Sequence, residues 1–152
     1  MRAADFYFGT HQTRRAMEQM ARVLADTDTY ADFIFDWYAD RKLPAGEVLA
    51  HGLPAGSRAP RAYLHDLMAA GRPGSGEVWT WITARGLGDA RLAREYTGYL
   101  FCKRDYQGGA RAWAQYLGAH GDGYPESNRI FNGDFESELS DSAFDWRINA
   151  RD

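Results

Sequence analysis

Apolar residues recur at helical spacing along most of the chain. Two such stripes near the N-terminus consist of Met17, Met20, Ala21 and Leu24, and of Tyr30, Phe33, Ile34 and Trp37. Residues three and four positions apart lie on one face of an α-helix, so each stripe predicts a helix that buries one face. No stretch before residue 125 shows the alternation of a half-buried strand. The pattern therefore predicts an all-α fold.

Start and stop signals divide this pattern into helices. Thr29, followed three residues later by Asp32, resembles a capping box and predicts the start of the helix that carries the second stripe. Residues 43–46 then interrupt the pattern. Residues 47–51 leave room for a short helix, which Gly52 ends.

The middle of the chain carries stronger signals. Gly71 is placed to end one helix, because glycine readily takes the left-handed conformation that closes a helix. Ser75 is the predicted cap of the next helix, which ends at Gly86 or Gly88. Asp89 is predicted to open the helix after that. Helices of this length joined by short polar turns pack as antiparallel hairpins.

The chain is weakly self-similar at a spacing of thirty positions. Asp36 and Asp66 are separated by this distance, and residues 46–48 and 76–78 both read Gly-Glu-Val. A period of about 30–35 residues with two helices per unit is typical of an α-solenoid. The alternative is a coincidence among common residues.

Residues 92–117 resemble a tetratricopeptide repeat. The small residues Thr97 and Gly109, the aromatic residues Tyr106 and Trp113, and the inward Leu100 occupy the positions that the family's pattern requires. Small residues let two helices approach, and large rings fill the groove between them. The proline expected soon after the second helix is missing. The resemblance implies a short superhelix of helical hairpins that acts as a non-catalytic scaffold for a protein or peptide.

The C-terminal segment resembles a different family. Residues 128–136, with the run Asn-Gly-Asp-Phe-Glu, and residues 144–148 look like the opening strands of a jelly-roll carbohydrate-binding module. Six residues remain after Trp146, whereas a jelly roll needs about eight strands, so we expect an incomplete module. The division predicted is a helical domain over residues 1–121 and a tail over residues 122–152. The pairing resembles bacterial proteins associated with exopolysaccharide production or export.

Composition and charge exclude some functions and leave others open. The 18 basic and 21 acidic residues are interspersed, and no basic run of a nucleic-acid binder is present. No segment reaches the ~20 apolar residues that a membrane span needs, so no insertion is expected. Cys102 is the single cysteine, which excludes an internal disulfide. The N-terminus lacks the apolar segment of a signal peptide, and both the cytoplasm and the periplasm remain open.

The residues that carry catalytic chemistry do not form a recognisable motif. The four histidines, which lack the spacing of a zinc site, are His11, His51, His65 and His120. Cys102 has no evident base to activate it. Carboxylates that a glycosidase could pair are Asp36, Asp40, Asp66, Glu77 and Glu95. Such pairing requires a fixed separation that helical spacing cannot establish. We expect no metal, no cofactor and no enzymatic activity, and a glycan-active enzyme is the third hypothesis.

The aromatic residues are the best candidates for binding. Trp79 and Trp81 lie about 200° apart around one predicted helix, so the two side chains cannot both face the same core. With Tyr96, Tyr99 and Arg94 they form the predicted partner-binding set. The leading hypothesis is a protein- or peptide-binding scaffold, and the alternative is polysaccharide binding through surface Trp and Tyr. Apolar surface at the ends of a short solenoid also favours self-association.

Overall fold

The computed structural model describes residues 2–56, 58–121, 124–126 and 144 of the 152-residue chain. These residues form eight α-helices and no strand, which confirms the all-α prediction. The helices are α1 (Arg2–Gly9), α2 (Thr13–Asp26), α3 (Ala31–Asp40), α4 (Ala45–Glu47), α5 (Arg58–Ala69), α6 (Ser75–Thr83), α7 (Ala90–Cys102) and α8 (Tyr106–Leu117). A π-helical turn, Val48–Gly52, continues α4, and a 3₁₀ turn, Gly118–Gly121, follows α8. Within these ranges no helix combines the length and the apolar character that crossing a membrane would require.

The chain divides into two compact units, Met1–Leu87 and Gly88–Asp152. The first unit contains α1 to α6, and the second contains α7 and α8. The division into residues 1–121 and 122–152 was drawn from family resemblances and stays a prediction. The predicted strand segments at residues 128–136 and 145–148 lie outside the described residues.

Helices α3 to α6 of the first unit form two helix–loop–helix halves. α3 and α4 form one half, α5 and α6 form the other, and like helices are neighbours, with α3 beside α5 and α4 beside α6. Ile34 and Leu64, thirty positions apart, are both fully buried, as are Val48 and Val78. Residues thirty positions apart therefore occupy equivalent places in the core of the first unit. The assignment of these halves to a tetratricopeptide-like superhelix stays a prediction.

A polar cluster joins α1 to α3. The indole Nε1 of Trp37 donates to Asp5 Oδ1 at 2.8 Å, and Arg41 Nη2 donates to the same oxygen at 3.1 Å. The Arg41 guanidinium lies 3.9 Å from the Trp37 ring centroid and 4.9 Å from that of Phe8. The buried indole N–H and the partly buried guanidinium thus share one carboxylate oxygen, and the guanidinium packs on two aromatic rings, while Arg41 Nε is buried without a hydrogen-bond partner among the described residues.

Five of the turns have the same backbone geometry. Each has one residue in the left-handed conformation whose N–H donates to the carbonyl three residues back, while the next N–H donates to the carbonyl five residues back. These residues are His11, Lys42, Gly71, Gly86 and Arg104. The pattern is the Schellman motif, which satisfies the last free carbonyls of a helix. It confirms the predicted stop at Gly71 and selects Gly86 over Gly88 for the end of α6.

Two of the predicted helix caps are wrong. α3 begins after Tyr30 with no side-chain cap, and the N–H of Thr29 donates instead to Thr27 Oγ1 at 3.2 Å. The local threonine turn thus replaces the predicted capping box. Ser75 is the first helical residue of α6, and Gly74 is the cap position, with φ at 100°. A Cβ at residue 74 would lie 2.7 Å from the Ala45 Cβ, so glycine is required there.

The predicted start of α7 at Asp89 is confirmed. Asp89 Oδ1 accepts the N–H of Leu92 at 2.9 Å. Asp105 caps α8 in the same way, since its Oδ1 accepts the N–H of Gly108 at 2.8 Å. Each aspartate satisfies one of the free N–H groups at a helix start.

Gly86→Ala is expected to lower the free energy of unfolding by about 1 kcal/mol, because alanine is strained in the left-handed conformation. A Cβ at residue 86 meets no other atom within 4 Å, so the loss isolates backbone strain. Gly98→Ala is the matched control inside α7, with equally open surroundings, and should raise stability by about 0.5–1 kcal/mol. Thermal unfolding followed by circular dichroism measures both, and equal effects would contradict the assignment of Gly86 as a helix stop.

Candidate functional site

Arg72 joins three parts of the first unit. It lies in the loop after α5, directly behind the Schellman turn at Gly71. Its Nη1 donates to Asp66 Oδ2 at 2.8 Å, and its Nη2 donates to Asp36 on α3. The guanidinium thereby connects α3, α5 and the loop through two charge-assisted contacts.

The Asp66 carboxylate is largely buried, which disfavours its charged form. Its side chain is 16% exposed, and burial raises its pKa above the ordinary value, which the nearby Asp36 and Asp32 raise further. The charge of Arg72 and its hydrogen bond act in the opposite direction and lower the pKa. Arg72 therefore offsets part of the cost of burying this carboxylate.

A cleft of about 580 Å³ lies between the two loops that join the helices of each half. Its apolar lining is Phe35, Ala39, Leu43, Pro44, Ala45, Tyr63, Leu67 and Pro73. Its charged lining is Lys42, Arg72 and Glu77. Mostly apolar walls with a few charged groups are typical of small-molecule sites.

Three polar side chains of the cleft have no partner among the described residues. Lys42 and Glu77 make no ion pair there, and the Tyr63 hydroxyl makes no hydrogen bond there, although Tyr63 is only 4% exposed. Burial first, and then the charges of Asp66 and Glu77, raise the pKa of Tyr63 to about 12. The phenol is therefore protonated at neutral pH and can donate a hydrogen bond into the cleft.

A second depression, a groove of about 820 Å³, runs between α6 and the short helix α4 with its π turn. Small side chains dominate its lining, which consists of Gly46, Leu49, Ala50, Gly76, Glu77, Thr80, Trp81, Ala84 and Arg85. Trp81 is the one large aromatic ring of this lining. A tryptophan beside small residues lets a partner bury a side chain against the ring and bring its backbone close to the groove.

The structure separates the two tryptophans of α6. Trp79 is 1% exposed and belongs to the core, so it offers no surface to a partner and leaves the predicted binding set. Trp81 is partly exposed, and the Arg85 guanidinium lies 4.0 Å from its ring centroid. Arg85 Nη1 also approaches the Trp81 carbonyl oxygen at 3.4 Å.

Glu77 lines both the cleft and the groove. It lies in the first turn of α6, and its Oε1 would be 2.5 Å from a Cβ built on Gly46 in α4. The absence of a side chain at Gly46 therefore gives the carboxylate its place against α4. The helix dipoles favour a negative charge beside the starts of both helices.

The remaining predicted binding residues, on α7, belong to the second unit, whereas Trp81 belongs to the first. Tyr96 is 3% exposed and so offers little surface, while its ring stacks on Tyr99 at 6.2 Å. Tyr99 is partly exposed, with the Lys103 ammonium 5.7 Å from its ring, and Arg94 is exposed. The structure therefore does not support Tyr96 as a contact residue, and it leaves Tyr99 and Arg94 accessible.

The residues of the repeat-like pattern form the α7–α8 hairpin. Thr97 is buried, and its hydroxyl donates to the Ala93 carbonyl at 2.9 Å. A Cβ on Gly109 would lie 2.7 Å from the Phe101 ring, so only glycine fits between the helices. The other three residues differ in exposure: Trp113 is 1% exposed, Leu100 is partly exposed and Tyr106 is 61% exposed.

Part of the C-terminal segment contacts this hairpin. The ring of Phe144 lies 5.1 Å from Phe101, 6.0 Å from Tyr124 and 6.4 Å from Trp113. Phe144 was predicted to open a second strand, and its described contacts are those of a side chain packed on helices. The aromatic cluster thus ties this residue into the second unit.

Sequence reasoning missed the cleft. Tyr63 and Leu67 read as the buried face of a helix, and Lys42 reads as a solvated charge. A usable signal was the repetition of a basic residue shortly before Pro44 and Pro73, at the two loops of the thirty-residue period. This repetition places a basic residue at the equivalent turn of each half, and both turns line the cleft.

No family model, no curated protein and no solved structure matches this chain. The tetratricopeptide and carbohydrate-binding resemblances therefore stay predictions. Within the described ranges no group of His, Cys, Asp and Glu residues is arranged to hold a metal ion.

Arg72→Met is expected to lower the free energy of unfolding by about 1–3 kcal/mol at pH 7, because Asp66 loses the cation that compensates its burial. The pKa of Asp66 then rises further above its unfolded value. That penalty is fully present above the folded-state pKa and disappears as the pH falls below the unfolded value. Urea unfolding between pH 7 and pH 4 should therefore show a loss that shrinks with acidification.

The matched control is Arg14→Met on α2. Arg14 contacts Glu18 at 3.1 Å, but the two side chains are 70% and 44% exposed. Exposed pairs of this kind contribute little, so we expect a change below about 0.5 kcal/mol at either pH. A loss in Arg72→Met that does not vary with pH would refute the role assigned to Asp66.

Proposed function

We propose that the first unit is a non-catalytic scaffold that binds a peptide segment of a partner protein in the groove beside α6. The observation that carries this proposal is the partly exposed Trp81 in a groove lined mainly by small side chains. Aromatic anchors in such depressions contribute most of the affinity of many protein interfaces. The prediction of an aromatic-lined groove between helices is thus retained with Trp81 as its anchor.

The arrangement of Arg85 supports a peptide over a sugar. Its guanidinium lies 4.0 Å from the Trp81 ring centroid, so it covers one ring face and holds the indole in one orientation. A preorganised anchor loses less side-chain entropy on binding. With one ring face covered, a sugar can stack only on the other face, whereas a peptide side chain can also pack on the ring edge and on the small side chains of the groove.

The length and charge of the groove define the segment. Glu77 in the first turn of α6 and Arg85, two residues after α6 ends, both line it, and their separation is roughly 12 Å if the helical rise per residue continues through the turn. That distance accommodates about three to four residues of extended chain. Arg85 makes no ion pair with a described residue, so it is available to an acidic peptide side chain.

A place for this scaffold in bacterial polysaccharide assembly or export is part of the proposal. It rests on the sequence resemblances of residues 92–117 and 128–136 alone. The groove itself supports peptide binding and carries no information about the pathway.

The test is selection of peptides from a random display library on the purified chain. Selected peptides are resynthesised and titrated by calorimetry against the wild type and Trp81→Ala. We expect the substitution to weaken binding at least tenfold, or about 1.4 kcal/mol, because it removes the anchor. We also expect the selected peptides to contain an acidic residue whose effect disappears in Arg85→Met.

Tyr30→Ala provides the matched control. Tyr30 is 50% exposed, precedes α3 and does not line the groove, so its removal should leave affinity unchanged. Selected peptides that bind Trp81→Ala as tightly as the wild type would overturn the proposal. A saturable response to a panel of soluble polysaccharides without any peptide binder would favour the carbohydrate-binding alternative.

A further inference from the structure

The cleft between the loops at residues 41–44 and 70–74 has features that the peptide groove does not require. Its volume of about 580 Å³ lies within the usual range for small-molecule sites. Two aromatic residues of its lining are almost fully buried, with Phe35 at 2% and Tyr63 at 4% exposure. Their ring centroids are 5.2 Å apart. The cleft thus has an apolar wall fixed by the core.

We propose that this cleft binds a free amino acid with an apolar side chain, with Lys42 and Tyr63 at its carboxylate and Glu77 at its ammonium group. This site is separate from the peptide groove, although Glu77 lines both. The proposal rests on the charges and hydrogen-bonding groups that the fold leaves without partners in the described part of the chain.

The carboxylate end is defined by two donors. Tyr63 is 4% exposed as a residue, and its hydroxyl makes no hydrogen bond with a described residue, yet its oxygen is not one of the fully buried polar atoms. The hydroxyl therefore reaches the open space of the cleft and is available to donate to a ligand carboxylate there. Lys42 adds one positive charge without an ion pair of its own in the described ranges. One ammonium and one hydroxyl suit the single charge of a carboxylate better than a doubly charged phosphate.

The position of Lys42 follows from the backbone. Lys42 takes the left-handed conformation, with φ at 52°, at the Schellman turn that ends α3. Gly71 occupies the corresponding turn after α5 without a side chain. The turn after α3 therefore carries a lysine side chain beside the cleft, whereas the corresponding turn after α5 carries none.

The ammonium end is defined by Glu77. Its carboxylate lies against Gly46 at the start of α4 and makes no ion pair with a described residue. Arg72, the other cation of the cleft, is already bound to Asp36 and Asp66. The charges that remain for a ligand are thus one positive and one negative, which matches a zwitterion.

The apolar part of the ligand has a matching surface. Phe35, Leu67 and Pro73 line the cleft between these polar groups. A branched aliphatic or aromatic side chain would bury apolar area there, with a gain of roughly 25 cal/mol per Å² removed from water. A small or charged side chain would forgo this gain, so affinity should follow side-chain apolarity.

The experiment is calorimetric titration of the full chain with L-leucine, L-phenylalanine and glycine. N-acetyl-L-phenylalanine, which lacks the ammonium, and L-phenylalaninamide, which lacks the carboxylate, are the matched probes. We expect saturable binding of phenylalanine or leucine, at least tenfold weaker binding of both derivatives, and weaker binding still of glycine. Absence of saturable binding at ligand concentrations up to about 10 mM would overturn the proposal, because a weaker affinity would not indicate a specific site.

Two variants test the assigned contacts. Tyr63→Phe removes one oxygen that has no partner in the described chain, so the melting temperature should change by less than about 2 °C. Lys42→Met retains the length of the side chain and the backbone strain but removes the charge. Each should weaken phenylalanine binding about fivefold to tenfold and leave the affinity for phenylalaninamide unchanged. Equal losses for the acid and the amide would contradict a carboxylate contact.

The failure of this proposal can be distinguished from that of the peptide groove. Trp81→Ala should leave amino-acid binding intact, because Trp81 does not line the cleft. Lys42→Met should leave peptide affinity intact, because Lys42 does not line the groove. Loss of amino-acid binding in Trp81→Ala would show that the ligand occupies the groove and would overturn the cleft assignment.

Discussion

The cleft of the first unit depends on the bridge that Arg72 forms between Asp36 and Asp66. Two carboxylates on neighbouring helices repel each other, and Asp66 is in addition largely desolvated. One guanidinium placed between them offsets both costs and fixes the spacing of α3, α5 and the loop that follows Gly71. These three parts contribute walls of the cleft. The bridge therefore determines a shape as well as a free energy.

A second constraint comes from the close approach of α4 and α6. A Cβ on Gly74 would lie 2.7 Å from the Ala45 Cβ, and one on Gly46 would lie 2.5 Å from the Glu77 carboxylate. A larger residue at Gly74 would push α4 and α6 apart, whereas one at Gly46 would displace the flexible Glu77 carboxylate. The Gly-Glu-Val sequence at residues 46–48 thus has a packing reason. It also gives Glu77 its position, because the carboxylate occupies the space that a side chain at residue 46 would fill.

The sequence could predict the features that depend on local chemistry. The all-α class and the helix limits at Gly71 and Asp89 follow from periodicity, left-handed glycine and side-chain capping, which act within a few residues. The cap at Ser75 could not be excluded from sequence, because Gly74 takes that place through contact with a distant helix. The cleft could not be predicted for the same reason, because residues distant in the sequence form its walls. The periodicity places Tyr63 in the core, but only the tertiary structure reveals that its hydroxyl lacks a partner in the described chain.

The position of Glu77 makes the two proposed sites interdependent. Its carboxylate lines both the cleft and the groove, so an ammonium group bound in the cleft would compensate its negative charge. Glu77 would then repel an acidic peptide in the groove less, and such a peptide would bind more tightly. Thermodynamic linkage requires the converse, that such a peptide strengthens amino-acid binding by the same factor. On this view the scaffold would report the presence of a small metabolite through its affinity for a partner, without any change in fold.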